Sequence, residues 1–123
     1  MTQPFQNLVV WQRAVEMTVG TYALTKNFPA TEIYGLTSQM RRAAVSVASN
    51  IAEGRGRMTD GEFRQFLGHA QGSNYELQTQ MEVARRLKFG SEEQIKEVER
   101  LSIEVGKMLS VLIATLTSKP RMQ

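Results

Sequence analysis

The sequence predicts an all-α protein, an antiparallel up-and-down four-helix bundle in one domain over residues 1–123. Three observations carry that expectation. Apolar residues return at three- and four-residue steps through four long segments, as one face of a helix requires. Every junction holds a breaker or a cap: Pro29, then Gly54 and Gly56, then Gly90 before Ser91. The links are too short for anything but reversal of direction, and the length suffices for a core without staples. The helices are placed at about 7–26, 31–54, 60–89 and 92–117, with the tail 118–123 expected to fray.

The first helix opens at Asn7 as N-cap and ends near Lys26, since Pro29 forbids continuation. Leu8, Trp11, Val15, Val19 and Tyr22 form its main apolar stripe, expected to face the core. A second stripe, Val10, Met17 and Leu24, runs on roughly the opposite side. A lone bundle needs one apolar face per helix, so the second stripe suggests contact between subunits.

Thr31 or Glu32 opens the second helix, with Gly35 early within it. Its centre is the run QMRRAAVSVASNIAEGRGR from Gln39 to Arg57. Gln39, Arg42, Ser46, Asn50 and Glu53 fall within an arc of about 80°. Leu36, Met40, Ala43, Val47 and Ile51 lie beside them, and Val45, Ala48, Ser49 and Ala52 make a small third side. Only Arg41 plainly requires water, so the helix is expected to be buried around most of its circumference. Arg42 would then point inward and pair with Glu53 or Glu76, while Gln39, Ser46, Asn50, Ser73 and Gln80 satisfy the remaining donors and acceptors. Removing one partner of such a buried pair costs roughly 3–5 kcal/mol, so Arg42→Met is expected to destabilise the fold or change subunit number.

Thr59 and Glu62 form a capping box that starts the third helix. Phe63, Phe66, Leu67, Ala70, Leu77, Met81 and Ala84 are its core stripe, flanked by His69, Gly72, Ser73, Glu76 and Gln80. Gly61, Gly68 and Gly72 cost about 1 kcal/mol each against Ala, which predicts close approach of another backbone. Gly90 is the expected left-handed stop. A second capping box, Ser91 to Gln94, opens the fourth helix, whose apolar face is Ile95, Val98, Leu101, Val105, Met108, Leu109, Leu112, Ile113 and Leu116.

Composition narrows the chemistry. Zero cysteines exclude disulfides, thiolate metal sites and cysteine nucleophiles, and fit a reducing compartment. The single His69 has Phe66 three residues before it, so the Glu-x-x-His pairs of a di-iron bundle are absent. No nucleophile elbow, phosphate-cradling glycine loop or zinc-ligand spacing occurs. No cofactor, metal or catalytic role is expected. No stretch approaches about 18 unbroken apolar residues, and the N-terminus lacks a signal-peptide pattern, so the expected location is the cytoplasm, away from membranes.

Net charge is +3, and its placement is uneven. Residues 41–88 hold eight basic side chains against five acidic, while the flanking parts balance. Seven of the eight are arginines, the residue that pairs bidentately with phosphate. Arg41, Arg55, Arg57, Arg64, Arg85, Arg86 and Lys88 are therefore candidate contacts to RNA or DNA phosphates, which give affinity without sequence readout. The alternative is a protein-interaction scaffold whose charged faces only keep it soluble. An enzyme using Glu53 and Glu76 ranks third.

Specific runs also resemble a known family. Leu8-Val9-Val10-Trp11-Gln12, Phe28-Pro29 with Glu32, Tyr34-Gly35-Leu36, Arg42-Ala43-Ala44, Asn50-Ile51-Ala52-Glu53-Gly54, Glu62-Phe63, Phe66-Leu67 and Gly72-Ser73 with Glu76-Leu77 resemble the 23S rRNA intervening-sequence proteins over residues 5–90. That resemblance implies a four-helix bundle assembling into a ring, a homopentamer, and kinship with the accessory variability protein of diversity-generating retroelements. It also implies a basic surface for nucleic acid and a partner protein. The family name records a gene location inside rRNA genes and does not establish rRNA binding.

Overall fold

In a computed structural model, described for residues 4–118, the chain forms α1 (Val9–Thr25), α2 (Leu36–Arg55), α3 (Asp60–Leu87) and α4 (Glu92–Ser118). Short 3-10 turns precede α1 and α2 at Phe5–Asn7 and Ala30–Glu32. Each helix packs on its neighbours in sequence and α1 packs on α4, closing an all-α up-and-down bundle with no strand among the described residues. Of the tail expected to fray, only Ser118 is described, and it is the last residue of α4.

Two helix starts differ from expectation. The chain turns at Phe5–Asn7, and Leu8, extended at φ −74° and ψ 123°, precedes α1 in place of Asn7. α2 begins five residues later than expected because Gly35 adopts φ −112° and ψ −117°, outside helical space. There the Leu36 N–H donates to Glu32 Oε1 at 3.0 Å, so a carboxylate from the preceding turn caps the helix. The other two starts are the predicted ones: Glu62 N–H donates to Thr59 Oγ1 at 3.1 Å and Gln94 N–H to Ser91 Oγ at 3.2 Å. α3 stops at Leu87, and Lys88 takes the left-handed conformation at φ 60° ahead of Gly90 at φ 75°. A Cβ on Gly90 would stand 2.8 Å from Leu24 Cδ1 and 2.9 Å from Phe28 Cε1.

The second stripe of α1 is the fully buried one, while Leu8 and Trp11 of the main stripe pack half-buried against the core. Val10, Ala14, Met17, Thr21 and Leu24 are buried, whereas Val19 is 65% and Tyr22 45% exposed. Small residues decide this, because Ala14 and Gly20 let neighbours close in; a Cβ on Gly20 would lie 3.2 Å from Val98 Cγ2. Thr21 and Thr25 enter the core because their hydroxyls donate to Met17 O and Thr21 O at 2.8 Å.

α2 is flanked by α1 and α3 and uncovered on its outer side, where Arg42, Val45 and Ser49 are exposed. The expected burial around most of its circumference is not met within one chain. Its inner side is tight: a Cβ on Gly54 would stand 2.6 Å from Phe66 Cβ. By contrast, nothing lies within 4 Å of a Cβ at Gly68 or Gly72, so the close approach expected there does not occur within the chain.

α4 buries Ile95, Val98, Leu101, Val105 and Leu109, with Met108, Leu112, Ile113 and Leu116 half-buried beside them. It is more apolar than anticipated: an 18-residue stretch reaches a mean hydropathy of 1.4, enough by length and composition to cross a membrane. The excess comes from Ile103 and Val111 on the outer side, 48% and 66% exposed, added to the bundle-facing row.

Gly54→Ala should destabilise the fold by about 1–3 kcal/mol through overpacking. Gly68→Ala should stabilise it by up to about 1 kcal/mol through helix propensity. Chemical denaturation reads both, and a loss of stability in the second variant would mean that the α3 face is covered in solution.

Candidate polyanion-binding surface

The α2–α3 turn gathers three of the predicted cations. Arg55 belongs to the last turn of α2, where a positive charge suits the helix dipole. Its guanidinium lies 5.6 Å from the Phe63 ring centroid, and its Nε is buried without a hydrogen-bond partner. Arg57 lies over Phe66 at 4.6 Å and donates to Glu53 Oε1 at 2.7 Å. Both rings stand on the first turns of α3, so exposed Arg64, between them in sequence, joins the same end of the bundle; among the described residues it makes no ion pair. Phe66 is half-buried and also packs edge-on to His69 at 5.9 Å.

Arg41 sits on the opposite half of α2. Its Nε donates to Thr25 Oγ1 at 2.9 Å and its guanidinium covers the Tyr22 ring at 4.6 Å. The remaining predicted cations lie at the far end of α3 and are largely spoken for. Arg85 donates to Glu99, Glu92 and Glu82 at 3.0–3.3 Å, tying α3 to the start of α4. Hydrogen bonds to Glu99 and then Glu92 raise its pKa further. Arg86 pairs with Glu82 at 3.0 Å, and with Arg85 it holds that carboxyl below its ordinary 4.5. Lys88 is exposed in the left-handed turn after α3. The seven residues therefore do not make one patch: Arg64 and Lys88 are 24 positions apart, about 36 Å along a helix.

The inward polar network predicted on α2 and α3 is corrected. Arg42 is exposed and makes no ion pair among the described residues, because the outer side of α2 faces solvent. Glu53 bonds Arg57 instead, and Glu76 is exposed. What joins the helices is a short neutral chain: Ser46 and Ser73 hydroxyls at 2.8 Å, with Asn50 Nδ2 donating to Ser46 O at 2.8 Å and Oγ at 3.0 Å. Gln39 is exposed, and Gln80 Oε1 is buried without a partner.

The larger polar seam, between α3 and α4, was not anticipated. Asn74 Nδ2 donates to Ser102 O at 2.9 Å while Ser102 Oγ donates to Asn74 Oδ1 at 2.7 Å. Gln78 reaches Ser102 Oγ at 2.9 Å, and Gln71 reaches Gly106 O at 3.0 Å and Ser110 Oγ at 3.1 Å. Its signal was the four-residue spacing of Ser102, Gly106 and Ser110 inside an otherwise apolar helix. Among the described residues no three His, Asp or Glu side chains come together as a metal site would need.

Comparison with known proteins places the chain. The family model described as 23S rRNA-intervening sequence protein matches residues 6–111. The chain belongs to this family. A crystal structure of a protein with unknown function from the S23 ribosomal protein family of Bacteroides thetaiotaomicron is similar at a TM-score of 0.76 and 22% identity. The match covers 85% of this chain and 97% of that one, and at this identity it speaks to the fold. No curated protein matches the chain.

Among the described residues of this 23S rRNA-intervening sequence protein, then, four guanidinium groups lack a carboxylate partner: Arg41, Arg42, Arg55 and Arg64. Arg42→Met should change stability by no more than about 0.5 kcal/mol, as for other unpartnered surface positions. Thermal or chemical unfolding measures this, and a loss of 3 kcal/mol, roughly that of a broken buried pair, would restore the inward-facing network.

Proposed function

We propose that this family member is a non-enzymatic, cytoplasmic helical bundle that self-associates and binds the phosphate backbone of RNA or DNA. The observation that supports this is the set of four guanidinium groups that lack carboxylates among the described residues, three on α2 and one on the first turns of α3. Arg57, already bonded to Glu53, adds a fifth cation at that end. A guanidinium resting on an aromatic ring can still donate from its edge, and at Arg41 both terminal nitrogens are without a partner among the described residues. No sequence-reading element accompanies them, so the binding is of backbone charge.

Self-association fits the open backbone at Gly68 and Gly72 and the small outer side of α2 at Ser49. A ring of five copies, as in the kinship with the accessory variability protein, would array these arginines around one assembly. The competing scaffold reading draws support from Arg85 and Arg86, whose charges are absorbed by glutamates.

Anisotropy of fluorescent single-stranded RNA and duplex DNA over a salt series separates the two. Log affinity should fall with log salt by about 0.7–0.9 per neutralised phosphate, and an Arg55→Ala/Arg64→Ala variant should lose about two such increments. Arg86→Met should leave the slope unchanged. Absence of binding at low salt for both probes would make the scaffold reading the better one.

A further inference from the structure

We infer that the groove between α1 and the start of α2 is a binding site for a small phosphomonoester with an apolar body. The groove has a volume of about 540 Å³ and is lined by Tyr22, Thr37, Ser38, Arg41, Arg42 and Val45, with Ile33 at its edge. That is the size range of small-ligand sites, about 300–1,000 Å³. Thr37, Ser38, Arg41 and Arg42 stand three to five residues apart on consecutive turns of α2, so two hydroxyls lie one turn above two guanidinium groups.

Arg41 is held in place before any ligand arrives. Its Nε is bonded to Thr25 and its flat face is set on Tyr22, which leaves the two terminal nitrogens without a partner. Arg42, next to it in sequence, has no partner at all among the described residues, and both side chains line the same groove. No carboxylate of the groove neutralises them. The nearest one in sequence, Glu32, commits Oε1 to the Leu36 N–H, and Glu76, in the adjoining groove of about 610 Å³, makes no ion pair with Arg42.

Thr37 adds a hydroxyl to the lining. The residue is only 2% exposed and makes no side-chain hydrogen bond among the described residues, and the groove is its opening to solvent, so an acceptor entering there can meet it. The N–H groups of Thr37 and Ser38 belong to the first turn of a 20-residue helix, so they add donors and the positive end of its dipole. One fixed cation, Arg41, with the free Arg42 beside it favours a dianion over a monocarboxylate. Tyr22, Ile33 and Val45, each 41–48% exposed around the charges, give the organic part a surface to cover.

The inference shares Arg41 and Arg42 with the backbone-binding reading but does not require a polymer. Phenyl phosphate is the probe, titrated into the full-length protein while arginine Nε–H and backbone amide signals are followed by NMR, with inorganic phosphate and benzoate as comparators. Saturable shifts should concentrate at Arg41, Arg42, Thr37 and Ser38, with phenyl phosphate binding tighter than either comparator. Arg42→Met should weaken binding about tenfold and Thr37→Val about threefold, as loss of charged and neutral hydrogen bonds predicts, while Arg55→Ala/Arg64→Ala should leave it unchanged. Equal shifts at every exposed arginine, or affinity indifferent to Arg42→Met and Thr37→Val, would overturn the proposal. RNA binding that fails while this titration succeeds would sink the backbone reading alone, and the reverse result would sink this one alone.

Discussion

The contact of α2 with α3 is the constraint on which the rest of the bundle depends. Gly54 lies so close to Phe66 that no side chain fits between them, and Ala43, Val47 and Ile51 continue the same buried row. Because Gly54 and Ala43 near its two ends are small, the two helices lie close, and the hydroxyls of Ser46 and Ser73 can meet at 2.8 Å. This closeness has a price: side chains on the far side of α2 have nothing to pack against. Arg42, Val45 and Ser49 are left outside, between the flanking helices, and the two grooves beside them follow from that geometry.

The same packing sorts the arginines into two kinds. Where α3 passes the beginning of α4, three glutamates fall within reach of Arg85, and the cation becomes a clamp. Arg13 does the same between α1 and α4, bonded to Glu104 at 2.8 Å, with that bond and the nearby Glu16 raising its pKa. Along α2 and the first turns of α3 the neighbours are aromatic rings and hydroxyls, which position a guanidinium without cancelling its charge. An excess of only +3 thus becomes local, and the surface available to anions is narrower than the count of basic residues implies.

Much of the fold was legible because periodicity and capping are local signals. The helices of α3 and α4, their Thr59 and Ser91 caps and nearly all of their apolar rows could be read directly. What misled was size. Val19 and Tyr22 outweigh Ala14 and Thr21 in bulk, yet the smaller pair is buried because close helix approach rewards small residues. The inward Arg42 failed for a related reason: a polar stripe between apolar ones reads the same whether another chain or water lies over it. The α3–α4 seam was missed because Asn74, Gln71 and Ser102 are unremarkable alone and acquire meaning only when their register across the interface is known.

The division between arginines held by a hydrogen bond at Nε and free ones is the claim most open to direct measurement, through hydrogen exchange of individual Nε–H groups followed by NMR without any ligand. Arg13, Arg41 and Arg85, whose Nε donates at 2.8–3.1 Å, should exchange slowly, while Arg42 and Arg64 should exchange at the rate of free arginine. Slow exchange at Arg42, matching that of Arg85, would contradict the account and return Arg42 to a paired position inside the fold or between its copies.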